Sequence, residues 1–449
     1  MTTHSAGTGR ITGQTAEGIA GSIRLLVDRG ILAPGDALPP VRTLAADLGV
    51  HRNTVVSAYR TLTSVGVAVT RGRGGTSVAD PAPVAEEGGS GDARYTDVAS
   101  GNPGVRWLPD AATVARVAAG TARTADRPVL YGTGTVDPAL REVADRWIAA
   151  DRPRPFTLHV TGGAVDAVER LLAQELSRGD AVALEDPCFL TSVNTVRLAG
   201  YRTVPVPVDA EGMTPAGLRA ALAAGVRAVV CTPRAHNPTG ASLTASRAAE
   251  LRRILADHPW VLVIEDDHFS LLSTQPYRPV IGAGQRRWAL VRSVSKFLGP
   301  DLRLAVVACD DRTAGRLGAR LSPGTTWVSH LLQRTAAGLL TDPGVRARMS
   351  AARDDYARRN GDFVALLAGR GVTASAGDGL NVWVRTGGDA QAAARRLADR
   401  GWLVRPGGEF ALTPGTAAGH LRVTVHDLDA AAASALADDI AGAAGQNQG

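Results

Sequence analysis

Between residues 156 and 309 seven short runs are almost continuously apolar: FTLHV (156–160), AVALE (181–185), YRTVPVPV (201–208), AVVCT (228–232), VLVIE (261–265), WALVRS (288–293) and LAVVAC (304–309). Helical stretches such as AVDAVERLLAQELSRG separate several of them. A strand that is apolar on both faces has to be covered on both, and crossover helices provide the cover. The pattern therefore predicts an α/β fold around a large, mostly parallel sheet, with ligands expected beyond the carboxyl ends of the strands.

The remainder of the 449 residues divides at DPAPVAEEGGSGDAR (80–94), which is rich in Pro, Gly, Ala and acids and has no apolar period. The boundaries predicted are a small domain over 10–80, a linker over 81–96 and a body over 97–442, followed by a frayed end. Hydrophobic residues at 45% and charged residues at 20% suit a large buried core, and a net charge of +6 permits nucleic-acid binding without demanding it. Cys188, Cys231 and Cys309 are odd in number and lack metal-ligand spacing, so they read as buried thiols of a reducing cytosol, with no metal site. The first residues carry no apolar signal segment, and no apolar run is long enough to cross a membrane. A cytoplasmic protein without membrane partners is expected.

In the small domain, Ile19, Ile23 and Leu26 repeat at helical spacing up to Gly30, and Pro40 suits the first turn of a second helix carrying Val41, Leu44 and Leu48. A tight corner at LGV leads into HRNTVVSAYRTLTSVG, where Val55, Tyr59 and Leu62 form the buried stripe. Arg52, Asn53 and Thr54 are left outward at the helix start, as a helix-turn-helix requires for reaching base edges. VAVT and TSV then read as two strands around a loop bearing Arg71, Arg73 and Gly74. Residues 1–80 hold eight Arg against five acidic residues, so DNA affinity is expected to depend on dimerisation as well as on phosphate contacts.

The polar residues of the body collect at strand ends. TGG (161–163) follows the first strand and opens a helix, where backbone N–H groups and the helix dipole can hold a phosphate. HNPTG brings Asn237 after the fourth strand, EDDH brings Asp266 after the fifth, and SVSK brings Lys296 after the sixth, with Arg303 seven residues on. Lys296 is the only lysine in a chain with 48 arginines. Only the amine of lysine can lose its proton and attack a carbonyl. A phosphate cradle, an amide, a carboxylate and a lone lysine suit pyridoxal phosphate, and Phe189 offers a ring to stack on it.

LPPVRTLAADLGVHRNTVVSAYRTLTSVGVAVTRGRGGTSV resembles the winged helix-turn-helix of the GntR family, and TPRAHNPTG with SVSKFLGPDLRLA resembles hallmark segments of fold-type I aminotransferases. Together they resemble the MocR subfamily of GntR regulators, and GAVDAVERLL, EDPCF and PRAHNPTG resemble its PtsJ-like members. The resemblance implies a smaller α+β subdomain over about 335–442 and DNA contacts from Arg42, Arg52, Thr54 and the wing at 71–75. It makes Lys296 the Schiff-base lysine, Asp266 the partner of the ring nitrogen and Asn237 a donor to the phenolic oxygen. Gly163, Ala164, Ser293, Ser295 and Arg303 would hold the phosphate, Tyr131 would reach it from the neighbouring subunit of a homodimer, and Arg422 would grip an effector carboxylate.

Three departures from the family stand in the body. His268 stands where a tyrosine commonly touches the phenolic oxygen, Phe189 replaces a stacking tyrosine, and Val165 with Asp166 replaces a polar pair. His51 stands where a serine is usual before the recognition helix. The function implied is a transcription regulator that binds an operator in double-stranded DNA and takes pyridoxal phosphate, or an amino acid with it, as effector. Control of vitamin B6 or amino-acid metabolism follows from the analogy. A working aminotransferase with a DNA-binding arm, and a repressor with a relict body, remain as alternatives.

Overall fold

The computed structural model describes residues 10–64, 67–70, 75–79, 88, 92–123, 128–152 and 155–445. The wing candidates Arg71, Arg73 and Gly74, and most of the expected linker, lie outside the described residues.

The small domain contains α1 (Ala16–Asp28), α2 (Val41–Leu48), α3 (Arg52–Ser64), β1 (Ala68–Thr70) and β2 (Thr76–Val78), the two strands pairing antiparallel. Its core is the expected stripe: Ile19, Ile23, Leu44, Val55, Tyr59 and Leu62 are buried, with Val41 and Leu48 half-buried at the edge. Gly49, with φ +65°, ends α2 in the left-handed region and turns the chain toward α3. His51 takes over the work of a serine cap, since its Nδ1 accepts from the Asn53 amide at 3.2 Å. The Tyr59 hydroxyl donates to the Pro39 carbonyl at 2.6 Å and fixes α3 against the turn before α2.

In the body, β3 (Thr96–Asp97), α4 (Ala111–Arg123) and α5 (Pro138–Ala149) precede β4 (Thr157–Thr161), α6 (Ala164–Ala173), β5 (Ala181–Asp186) and α7 (Leu190–Leu198). Next come β6 (Arg202–Asp209), β7 (Gly212–Met213), α8 (Pro215–Ala223), β8 (Ala228–Cys231), α9 (Ala245–Ala256) and β9 (Leu262–Asp266). The run β10 (Trp288–Ser293), α10 (Ser295–Leu298), β11 (Ala305–Cys309), α11 (Asp311–Leu321) and α12 (His330–Thr341) leads to the long α13 (Pro343–Ala368). The chain closes with β12 (Ala374–Ser375), β13 (Asn381–Arg385), α14 (Ala390–Ala398), β14 (Trp402–Leu403), β15 (Arg405–Pro406), β16 (His420–Thr424) and α15 (Ala430–Gly445).

The large sheet has the order β4-β11-β10-β9-β8-β5-β6-β7. From β10 to β6 all pairings are parallel, while β11 and β4 at one edge and β7 at the other are antiparallel. Because β11 runs backward between β10 and β4, these two point the same way. Ser293 pairs with Ala305 and Ala305 with Thr161, so the glycine turn after β4 lies level with the lysine after β10.

A second sheet, β12-β13-β16-β15, packs with α14 and α15 around a separate apolar core. The stretch from residue 335 onward is shared between the two cores. Ala336, Leu339, Val345, Met349 and Tyr356 belong to the large core, and the small core takes up α13 only from Phe363. One unbroken helix serves both cores.

Gly338 lies where α12 meets α4, and a Cβ there would sit 2.5 Å from Val117 Cγ1 and 3.0 Å from Thr121 Cγ2. Gly361, in α13, has open space around the same position. Gly→Ala in a helix ordinarily gains up to about 1 kcal/mol. Gly361→Ala is expected to raise the unfolding free energy by roughly 0.5–1 kcal/mol, whereas Gly338→Ala lowers it by about 1–3 kcal/mol through overpacking. Urea denaturation of the two variants checks the opposite signs.

Candidate functional site

A cavity of about 360 Å³ opens at the carboxyl edge of the large sheet and is lined by Ala164, Phe189, Asn237, Asp266, His268, Ser293, Ser295, Lys296 and Arg303, all expected from the sequence. Val165, Thr191, Thr232 and Pro300 complete the lining. Thr232 could have been found by the same logic as the others, being the polar residue that follows the apolar run AVVC (228–231) of β8.

One corner is built for an anion. Ala164 begins α6, whose first amides lack carbonyl partners within the helix. Gly163 precedes it with φ +111°, and a Cβ there would stand 3.2 Å from the Arg303 guanidinium. The glycine therefore supports the corner by omission and does not line it. Asp166, one of the departures from the family, accepts from the Gly162 amide at 2.8 Å and pairs with Arg170 at 2.6 Å. It stiffens the turn. Ser293 Oγ donates to Ser295 Oγ at 2.9 Å and accepts from the Ser295 amide, which groups both hydroxyls next to Lys296.

The opposite corner is acidic and dry. Asp266 ends β9, and its Oδ1 is buried without a hydrogen-bond partner. Burial and then the charge of Asp267 push it up to about 7, against the pull of Lys296. Asp267, next in the chain, is fully buried as well, yet Arg234 (2.7 and 2.9 Å) and Arg292 (2.8 Å) hold it below the usual carboxylate range despite its burial. His268 is pushed down to about 4 by burial and then by Lys296, so it is neutral at physiological pH. The orphaned Asp266 oxygen is what a protonated pyridine nitrogen requires, and the residues fit such a ring: an acid at one end, an anion cradle at the other and an amine along its side.

Lys296 Nζ donates to the Gly101 carbonyl at 2.9 Å. Arg422, on β16, is fully buried over the Phe410 ring, with its guanidinium donating to Asn237 Oδ1 at 3.0 Å and to the Ala99 carbonyl. Arginine has no acceptor, so this contact fixes the Asn237 oxygen toward Arg422 and leaves its NH₂ end as the donor side. Tyr131 is 91% exposed, packed edge-on against Trp327 at 5.6 Å, and does not line the cavity of its own chain. On the DNA-binding domain, Arg42, Arg52 and Asn53 are exposed and Thr54 half-buried at the start of α3.

Comparison with known proteins decides the family. Residues 96–440 match the family described as aminotransferase class I and II, and residues 15–78 match the bacterial regulatory proteins of the gntR family. The chain is 47% identical over 432 residues to the vitamin B6 salvage pathway transcriptional repressor PtsJ of Salmonella typhimurium, covering 96% of this chain and 98% of that one. It belongs to the GntR regulators with an aminotransferase class I and II body. The pyridoxine biosynthesis transcriptional regulator PdxR of Corynebacterium glutamicum is 29% identical over 350 residues, 75% of each chain. Among solved structures, the multiple substrate aminotransferase of Thermococcus profundus aligns with a TM-score of 0.71 at 19% identity, over 80% of this chain and 93% of that one. This last likeness is one of fold. No described helix is long and apolar enough to cross a membrane, and the described residues hold no cluster of metal-ligating side chains.

Asp266 makes the acidic corner measurable. Its pKa is raised in the fold, so the stability that its protonated form contributes is complete below about pH 3.8 and is lost as pH rises toward about 7. At about 1.4 kcal/mol per unit, cofactor-free Asp266→Asn is expected to exceed the wild type by roughly 3–4 kcal/mol at pH 7.5 and by little at pH 4. Urea denaturation of both proteins across that range is the check.

Proposed function

We propose that this protein is a cytoplasmic, homodimeric transcription regulator that binds pyridoxal phosphate in the cavity at Lys296 and changes its grip on operator DNA in response. When bound, the cofactor supplies an aldehyde that condenses with a lysine amine and a ring that draws electrons. Lys296 is the amine, and Asp266 holds the ring nitrogen with the oxygen that has no other partner. Asn237 donates to the phenolic oxygen, while Ala164, Ser293, Ser295 and Arg303 receive the phosphate. His268 enters as a neutral imidazole, and Phe189 lies against the ring. The observation that carries the reading is the lone lysine of the chain standing in one cavity with a buried, partnerless carboxylate oxygen.

The DNA reading rests on Arg52, Asn53 and Thr54 at the start of α3, on Arg42 of α2, and on the wing residues Arg71, Arg73 and Gly74 expected from the sequence. The module is short of positive charge, so two copies reading two half-sites are needed for tight binding. Tyr131, exposed with Leu130, would meet the second subunit and reach its phosphate corner. By likeness to PtsJ and PdxR, the genes controlled are those of vitamin B6 supply. Arg422 would take the carboxylate of an amino-acid effector if one is used.

The test is fluorescence anisotropy of a duplex from this gene's upstream region, with cofactor-free and loaded protein at one fixed salt concentration. Loading is expected to change the dissociation constant at least fivefold, and Lys296→Ala to abolish the change while keeping the unloaded affinity. Arg52→Ala should weaken binding about tenfold in both states. Borohydride reduction of the loaded protein should mark one peptide, the one containing Lys296. Equal affinity in all forms, together with cofactor turnover by an amino donor, would favour a working aminotransferase.

A further inference from the structure

Behind the cavity lies a second carboxylate to which no role has been given above. Glu185 sits near the end of β5 and is essentially buried. Its Oε2 accepts from the Thr232 amide at 3.0 Å, and Cys231 Sγ lies 3.8 Å from Oε1. Its nearest basic group is His236, with Nε2 at 3.5 Å from Oε2. That nitrogen is buried and has no hydrogen-bond partner, while Nδ1 of the same ring meets the Thr239 hydroxyl at 2.8 Å. Thr232 also lines the cavity, so this pair stands directly behind its wall.

Burial, and after it the charge of Asp266, pushes the Glu185 carboxyl up to about 8, above neutral pH. Asp266 acts on it as a second carboxylate, and the buried thiols Cys188 and Cys231 bring no cation. The two buried guanidiniums nearby, Arg234 and Arg292, are committed to Asp267. His236 is held down to about 3 by burial and then by His268, with the Pro187 carbonyl the one group favouring its charged form. Glu265, also buried, stands on β9 with β8 between it and β5, and is directed to Tyr277, Val280 and Ile281. Lys296 is the cation that pulls Asp266 toward its charged form. Two buried carboxylates that act on each other resist ionising together.

We propose that Glu185 is a positioning residue for the cofactor, a neutral acid that donates its proton toward Nε2 of His236 and so leaves Asp266 as the single anion facing the ring nitrogen. A neutral carboxyl supplies the O–H that the unpartnered imidazole nitrogen calls for. The amide of Thr232 then ties the acid to the wall of the cavity, and His236 is tied in turn to the HNPTG loop that carries Asn237. Ionisation follows only at the alkaline end, at about 8, where burial, partly offset by the Thr232 and Cys231 contacts, is reinforced by the charge of Asp266. This inference rests on the cofactor reading for its consequence at the ring, but the protonation of Glu185 is a property of the cofactor-free chain.

Infrared difference spectroscopy of the full-length, cofactor-free protein, wild type minus Glu185→Gln, provides the first test. A protonated carboxyl band is expected at pH 6.5–7 and is expected to vanish as pH rises through about 8. An ionised carboxylate in the difference spectrum at pH 7 would overturn the proposal, whether or not the cofactor binds. Should the variant not fold, wild type carrying ¹³C-carboxyl glutamate, compared with unlabelled wild type, reads the shifted band and its pH dependence directly.

The second test uses pyridoxal phosphate labelled with ¹⁵N in the ring. Glutamine keeps the site neutral, so Glu185→Gln should show the wild-type ring-nitrogen resonance at pH 7. Above pH 8 the two should part, the wild-type resonance shifting as the second anion forms while that of the variant stays. A variant resonance that differs from wild type at pH 7, or identical titrations up to pH 9.5, would refute the role at the ring. Absence of any cofactor binding by the wild type would instead strike the cofactor reading, with the infrared result still deciding the state of Glu185.

Discussion

Two adjacent aspartates at the end of β9 experience opposite surroundings, and the chemistry of the body follows from that contrast. Asp267 points to Arg234 and Arg292, and Arg292 in turn reaches Asp151 and the Trp147 carbonyl of α5. This ion cluster is almost wholly out of water, where removal of one partner would leave an uncompensated charge. It fixes the strand end, the loop carrying Arg234 and helix α5 as one unit. With both guanidiniums spent on Asp267, Asp266 faces the cavity with no compensation except the amine of Lys296. A buried polar group without a partner is costly unless a ligand supplies one. The sheet edge is thus preorganised for a ligand with a cationic N–H at one end.

The strand-end rule made much of this legible before any coordinates. Asn237, Asp266, Ser293, Ser295 and Lys296 could be grouped because each follows an apolar run, and parallel strands bring their carboxyl ends to one edge. Lys296 stood out further because an otherwise arginine-only chain keeps lysine where an amine is required. Glu185 and His236 were not legible in the same way. The glutamate closes an apolar run and reads as its polar boundary, and only the register of β5 against β8 turns it toward Thr232 rather than solvent. Arg422 was found by resemblance, but its partner Asn237 lies 185 residues away and no local pattern predicts the contact.

Boundaries fared differently from sites. A change in composition marks the end of the DNA-binding domain, because linkers need no apolar period. No such change marks the small subdomain, since α13 is one 26-residue helix whose buried residues pass from the large core at Tyr356 to the small core at Phe363. The sequence of a helix records which face is buried, not which of two cores buries it. The histidine before α3 teaches a related lesson. His51 departs from the usual serine in type but retains an acceptor within reach of the Asn53 amide, so the capping role survives the substitution.

Arg422 is the point at which the small subdomain and the cavity meet. Its guanidinium is fully buried, rests on Phe410 of the same subdomain and binds Asn237 in the HNPTG loop together with the Ala99 carbonyl. Gly101, with φ +63°, would bring a Cβ to 3.2 Å from that guanidinium, and its carbonyl accepts the hydrogen bond from Lys296. The segment from Ala99 to Gly101 therefore joins the arginine and the lysine through two carbonyls one residue apart. Any ligand that draws Lys296 away from Gly101, or any carboxylate that competes for Arg422, changes the grip on the same three residues. A ligand shifts a domain arrangement only by contacts that differ between its two states. The amine and the guanidinium cannot serve both the segment and a ligand with the same hydrogen bonds.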